Sequence, residues 1–137
     1  MKFRDFLPAW GPVIAWMALM FFGSTDLMSA EHTSRFLTPF LRWLDPDISP
    51  ATIAQAHLLV RKAAHVIEYT ILTALLFRAL RGLIAVFWWR AAVALIPALM
   101  FAAADEYHQS LVPSRTGAVG DVLIDYCGAI AGIIICR

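Results

Sequence analysis

Charge is scarce in this chain. Only 15% of its 137 residues are Asp, Glu, Lys or Arg, 61% are hydrophobic, and the mean hydropathy is +0.70. Soluble domains average about a quarter charged and about half apolar. Composition therefore excludes a soluble globule and makes this an integral membrane protein. The net charge of +1 comes without an acidic or basic tail, so nothing marks nucleic acid as a partner. Cysteine is nearly absent too. Cys127 and Cys136 lie nine residues apart in one apolar run, about 13 Å along a helix; they cannot bridge each other and read as small core residues. There is no glycine-rich phosphate loop, no Ser-His-Asp order and no cysteine ligand set. The length leaves room for a few spans and no separate soluble domain, so one domain over 1–137 is expected.

The apolar runs give the organisation. Lys2 and Arg4 precede the first, 6–22, whose Pro8 and Pro12 read as residues of the first helical turns. Gly23-Ser24-Thr25-Asp26 lacks a small-x-small cleavage pattern, so a retained span is expected rather than a signal peptide. Segment 24–60 turns polar. Within it, Phe36, Leu37, Phe40, Leu41 and Leu44 have the spacing of an amphipathic helix stopped by Asp45-Pro46, expected to lie along the membrane surface. Ser49-Pro50 opens a second helix signal that can run unbroken into the second span, 63–80. Third and fourth spans follow at 88–109 and 119–136. The expected fold is an all-α membrane protein: a bundle of four transmembrane helices, with the amphipathic surface helix between the first and second. Arg78, Arg81 and Arg90 bracket a short loop anchored by Phe87-Trp88-Trp89. The positive-inside rule places this loop and both termini in the cytoplasm and 24–60 outside.

Polar residues inside the apolar part are costly and so informative. A charge at the centre of a membrane helix costs roughly 2.5–3.5 kcal/mol on translocon scales, less toward the interface. Yet Asp105-Glu106-Tyr107-His108-Gln109 closes the third span, with Pro113-Ser114-Arg115 just beyond. In the second span Arg61, His65, Glu68 and Tyr69 fall within an arc of about 100°, with Lys62 at its edge. In the fourth, Asp121, Asp125, Gly128 and Gly132 share about 60°, and the Gly-Ala-Ile-Ala-Gly run allows close helix approach. With alternating span directions, all these groups, together with Ser24 and Asp26, arrive at the extracytoplasmic membrane face. The inner halves of the first, third and fourth spans are purely apolar, which argues against a polar conduit in a monomer.

Several blocks now stand in order: Arg61-Lys62-x-x-His65-x-x-Glu68-Tyr69, Asp105-Glu106-x-x-Gln109, Pro113-x-Arg115, and Asp121 followed by Gly128-x-x-x-Gly132. In these the chain resembles the VanZ-like family of small bacterial membrane proteins over most of its length. Asp125 departs from the pattern, since relatives commonly carry asparagine there. The resemblance implies a multi-pass protein of the bacterial cytoplasmic (inner) membrane, and its namesake is associated with resistance to the lipoglycopeptide teicoplanin. It implies no settled reaction.

Three readings of the cluster are open. In the first, Arg61, Lys62 and Arg115 pair with Glu68, Asp105, Glu106, Asp121 and Asp125 only to hold the helices in register. In the second, the cluster binds or acts on the phosphorylated headgroup of an envelope lipid, anionic or isoprenoid, or of a lipid-linked cell-wall intermediate. Arg115 then clamps phosphate and Lys62 adds a point charge, with Tyr69, Gln109, Asp121 and Asp125 as further binding residues. His65 with Glu68 or Asp105 forms the acid–base pair, with Glu106 beside them. Ser114 reads as a turn residue after Pro113. The third is a divalent metal site, because His65-x-x-Glu68 and Asp105-x-x-His108 are one-turn pairs; it is compatible with the second. Lipid bilayer is the one assured partner, and no oligomeric state follows from the sequence.

Overall fold

The computed structural model describes residues 3–24, 30–111 and 119–137; Lys2, Asp26 and Pro113-Ser114-Arg115 lie outside them. Among the described residues the chain is all helical, without strands: α1 (Phe3–Gly23), α2 (Ala30–Leu44), α3 (Pro50–Ala79, extended by a 3-10 turn over Leu80–Gly82), α4 (Phe87–Ser110) and α5 (Val119–Ile135). Helices α1, α3 and α4 are long and apolar enough to cross a membrane. As described, α5 has 17 residues.

The start of α3 follows from its capping residues. The Ser49 hydroxyl accepts the Thr52 N–H at 3.1 Å and Pro50 occupies the first turn. From there the helix runs unbroken for 30 residues, about 45 Å. A hydrocarbon core is about 30 Å thick, so roughly ten residues of α3 stand beyond one. There α2 packs against it, with the Thr38 hydroxyl 3.2 Å from His57 Nε2. Asp45-Pro46 does end α2, where the Asp45 carboxylate accepts the Asp47 N–H at 3.1 Å. Phe36, Phe40 and Trp43 remain exposed on it.

Pro8 and Pro12 lie well inside α1, because the helix already begins at Phe3. Pro12 has no N–H to give the carbonyl four residues earlier, which is that of Pro8. Arg78 supplies the missing donor: its Nη2 reaches the Pro8 oxygen at 3.1 Å. This bond joins the start of α1 to the end of α3. Farther along, Trp16 Nε1 donates to the Glu68 carbonyl at 3.0 Å, so the two helices are antiparallel.

Helix α3 is central, touching every other helix and packing most extensively on α5. Those two run parallel, since contacts 60 residues apart recur along both. Glycines permit the close approach: a Cβ on Gly128 would sit 2.5 Å from the Val66 carbonyl oxygen, and one on Gly132 2.5 Å from that of Thr70. Helix α4 offers a stripe of buried alanines, Ala91, Ala94, Ala98 and Ala102, for the same purpose. With the glycine face turned to α3, Cys127 is exposed and Cys136 half-buried, so Cys127 is not the core residue its size implied. Large apolar side chains such as Ile14, Ile67, Ile96, Met100 and Ile134 are exposed on the outer surface, which suits lipid and not water.

Gly128→Ala is expected to cost about 1–3 kcal/mol, because the methyl group meets backbone that cannot yield cheaply. Gly120→Ala, facing open space, is expected to be neutral. Thermal unfolding of the two variants in detergent checks the contrast.

Candidate functional site

The antiparallel arrangement brings the ends of α1 and α4 together with the first halves of the membrane-crossing part of α3 and of α5. Phe21 and His108, near the ends of α1 and α4, have ring centroids 4.8 Å apart. At this end the parallel α3–α5 contact makes two cross-helix pairs. Arg61 Nη2 donates to Asp121 Oδ2 at 2.7 Å, half-buried, and His65 Nδ1 lies 2.8 Å from Asp125 Oδ1, buried. Both pairs step by four residues on both helices, one turn each. Just below, the Thr70 hydroxyl is 2.7 Å from its own helix's Val66 carbonyl and 3.0 Å from that of Gly128 on α5.

Helix α4 adds the third wall. Asp105, Glu106 and Gln109 are buried, and Gln109 Nε2 donates to Asp105 Oδ2 at 2.9 Å. That bond directs the Gln109 amide oxygen elsewhere. Tyr69 of α3 is also buried, its ring 6.4 Å from that of Phe101 and its phenol within electrostatic reach of Asp105 and Asp125. Among the described residues, Tyr69 Oη, Asp105 Oδ1, Gln109 Oε1 and Asp125 Oδ2 are buried oxygens of this group without a hydrogen-bond partner.

The opposite end is chemically different. Arg90 lies over the Phe77 ring, 4.4 Å from its centroid, and Arg137 over Trp88 at 5.7 Å. A groove of about 420 Å³ opens there between α4 and α5, lined by Trp88, Leu95, Ile130 and Ile134 among others. Its walls are apolar, so it belongs to the lipid-facing surface and not to the polar chemistry.

His65, Tyr69, Asp105, Glu106, Gln109, Asp121 and Asp125 are thus brought to one end of the bundle and buried. Glu68 and Lys62 are half-buried beside them. Arg115 lies outside the described residues. The partner of His65 is neither Glu68 nor Asp105 but Asp125, and Asp121 holds Arg61. The one-turn pairs do not converge on an ion: His65 turns to α5, Asp105 bonds Gln109, and His108 stacks on Phe21. Among the described residues no three His, Cys, Asp or Glu side chains are grouped to hold a metal. The cross-helix pairing had a legible signal: Arg61-x-x-x-His65 and Asp121-x-x-x-Asp125 carry opposite charge at equal spacing.

Fold and site together define a small helical membrane protein with a charged cluster at one end of its bundle. The chain belongs to the VanZ/LLP1 family, whose model matches residues 9–137. Comparison with curated proteins and with solved structures finds no match.

Removing one member of a buried pair leaves the other without a partner, so Asp125→Ala is expected to cost about 3–5 kcal/mol. Asp125→Asn, the residue common in relatives, retains an acceptor for His65 and is expected to cost less than half as much. Apparent melting temperatures of the two variants against wild type test this.

Proposed function

We propose that this VanZ-like chain is a single four-span domain over 1–137 whose polar end binds the phosphorylated headgroup of an envelope lipid or a lipid-linked cell-wall intermediate. In this reading α1, α3, α4 and α5 cross the bacterial cytoplasmic membrane, α2 lies on its surface, and the polar end faces outward. A 17-residue α5 is within the range of about 17–25 residues that spans a bilayer. Arg78, Arg81, Arg90 and Arg137 gather at the other end, which favours the cytoplasm for it and for both termini. The same reading extends to teicoplanin susceptibility, through the supply or exposure of the lipid-linked wall precursor.

The observation that carries it is a set of buried oxygens without partners among the described residues, Tyr69 Oη, Asp105 Oδ1, Gln109 Oε1 and Asp125 Oδ2, which can accept from the donor groups of a headgroup while its phosphate stays at the rim. A cluster that only braced helices would use them, since such groups are costly in a low-dielectric interior. Bracing accounts for Arg61–Asp121 and His65–Asp125 and leaves these four unexplained. Lys62 stands half-buried at the rim with no ion pair among the described residues. By the family pattern Arg115 joins it as the phosphate clamp. His65, held by Asp125 through Nδ1, has Nε2 for proton exchange, with Glu68 and Glu106 as further acid–base groups.

Native mass spectrometry of protein extracted in mild detergent tests the headgroup reading. Wild type is expected to retain phospholipid or isoprenoid phosphate; Lys62→Gln with Arg115→Gln is expected to lose it while stability changes by less than about 1 kcal/mol. Retained lipid with a stability loss above about 3 kcal/mol would leave bracing as the role of these cations.

Orientation has its own test. With both native cysteines replaced by serine, Asp47→Cys is expected to react with an impermeant thiol reagent in intact cells and Gly82→Cys only after lysis. The reverse pattern would put the polar end in the cytoplasm.

A further inference from the structure

The two cross-helix ion pairs at the polar end do not include Asp105. Arg61 is on Asp121 and His65 is on Asp125. Asp105, only 5% exposed, has no cation among the described residues: Oδ2 accepts the Gln109 amide at 2.9 Å, and Oδ1 accepts from no group among them. A buried carboxylate with one neutral donor is far from compensated. Its surroundings add to the demand. Gln109 Oε1, Tyr69 Oη and Asp125 Oδ2 have no partner among the described residues, and all three residues are 1% exposed. The Tyr69 phenol is within electrostatic reach of both Asp105 and Asp125, so α3, α4 and α5 present oxygens to one region.

What fits there is set by chemistry. Three of the four oxygens can only accept if the carboxylates are charged, and the fourth is a hydroxyl that also accepts. A phosphate, itself an acceptor and an anion, is excluded from among them and belongs at the rim with Lys62. A quaternary ammonium has the charge but no N–H to give. A primary ammonium has the charge and three donors.

We infer that the interior of the site takes the primary ammonium of an aminated phospholipid headgroup, with the Asp105 carboxylate as its counter-ion and the Gln109 carbonyl and Tyr69 hydroxyl as further acceptors. The inference rests on the headgroup reading and narrows it to a zwitterion, ammonium inward and phosphate outward. Asp105 is then a binding residue and not a base. The Gln109 amide, by donating to Oδ2, fixes the carboxylate so that Oδ1 faces the ligand.

The test offers delipidated full-length protein an equimolar mixture of phosphatidylethanolamine, phosphatidylcholine and phosphatidylglycerol with matched acyl chains, and reads the bound species by native mass spectrometry. Phosphatidylethanolamine is expected to be retained about tenfold over both others, equivalent to about 1.4 kcal/mol. Asp105→Asn is expected to abolish that preference while lipid still binds. Equal retention of all three lipids by wild type would overturn the ammonium and leave the headgroup reading standing; retention of none would overturn both. Should Asp105→Asn fail to fold, wild type alone decides by thermal shift. Soluble phosphoethanolamine is expected to raise the melting temperature where phosphocholine and inorganic phosphate do not. A rise as large as that given by phosphatidylethanolamine would make the ligand a free amine, and a rise with magnesium chloride alone would make it a metal ion; either overturns the lipid assignment.

Discussion

A charged side chain in lipid has no solvent to fall back on, so its partner must come from another helix. In this protein that demand is met chiefly by one contact, the parallel packing of α3 on α5, where Arg61 meets Asp121 and His65 meets Asp125. The rest of the arrangement depends on it. Parallel neighbours need a helix between them in the chain, and α4 fills that role, returning along both and closing the third side of the cluster. The pairs can form only if the helix axes are close, and Gly128 and Gly132 remove the side chains that would hold them apart. Small residues and charged residues thus serve one purpose on α5, at successive turns of one face.

The same logic operates at the other end with different groups. Pro12 removes a backbone donor in α1, and the guanidinium of Arg78 restores it at Pro8. An arginine that reads from sequence as a topology signal is therefore also a helix–helix fastener. Aromatic rings under Arg90 and Arg137 play a comparable part. At that end the arginines bond a backbone carbonyl or lie over rings, whereas at the charged end carboxylates of α4 and α5 gather with a tyrosine and a histidine of α3, and oxygens of Asp105, Gln109 and Tyr69 have no partner among the described residues.

Much of this was legible in the chain. Helix phase put Arg61, His65 and Tyr69 on one stripe of α3, put Asp121, Asp125 and both glycines on one stripe of α5, and the structure turns these stripes toward each other. Phase gives an azimuth but not a neighbour: motif spacing offers His65 the carboxylates of Glu68 or Asp105, and its partner is Asp125. Cys127 differs for a related reason: small size suggests the core, yet it is exposed, roughly 130° around the helix from the glycine face. Pro8 and Pro12 fall in the first turns of the apolar run, but the helix begins before that run, at Phe3. The approach of α2 to the extension of α3 through Thr38 and His57 had no sequence signal, since neither residue stands in a pattern. Arg115, prominent in the family pattern, lies outside the described residues.

Charge exchange across the α3–α5 contact tests the central claim most directly. Arg61→Asp and Asp121→Arg would each place like charges against one another, and the double variant would restore opposite charges in reversed order. The measurement is the apparent melting temperature of all four proteins in the same lipid nanodiscs. The account predicts a marked loss for each single variant and recovery of most of it in the double. A double variant as unstable as the two losses added together would contradict it, because the register of the bundle would then not depend on that pairing.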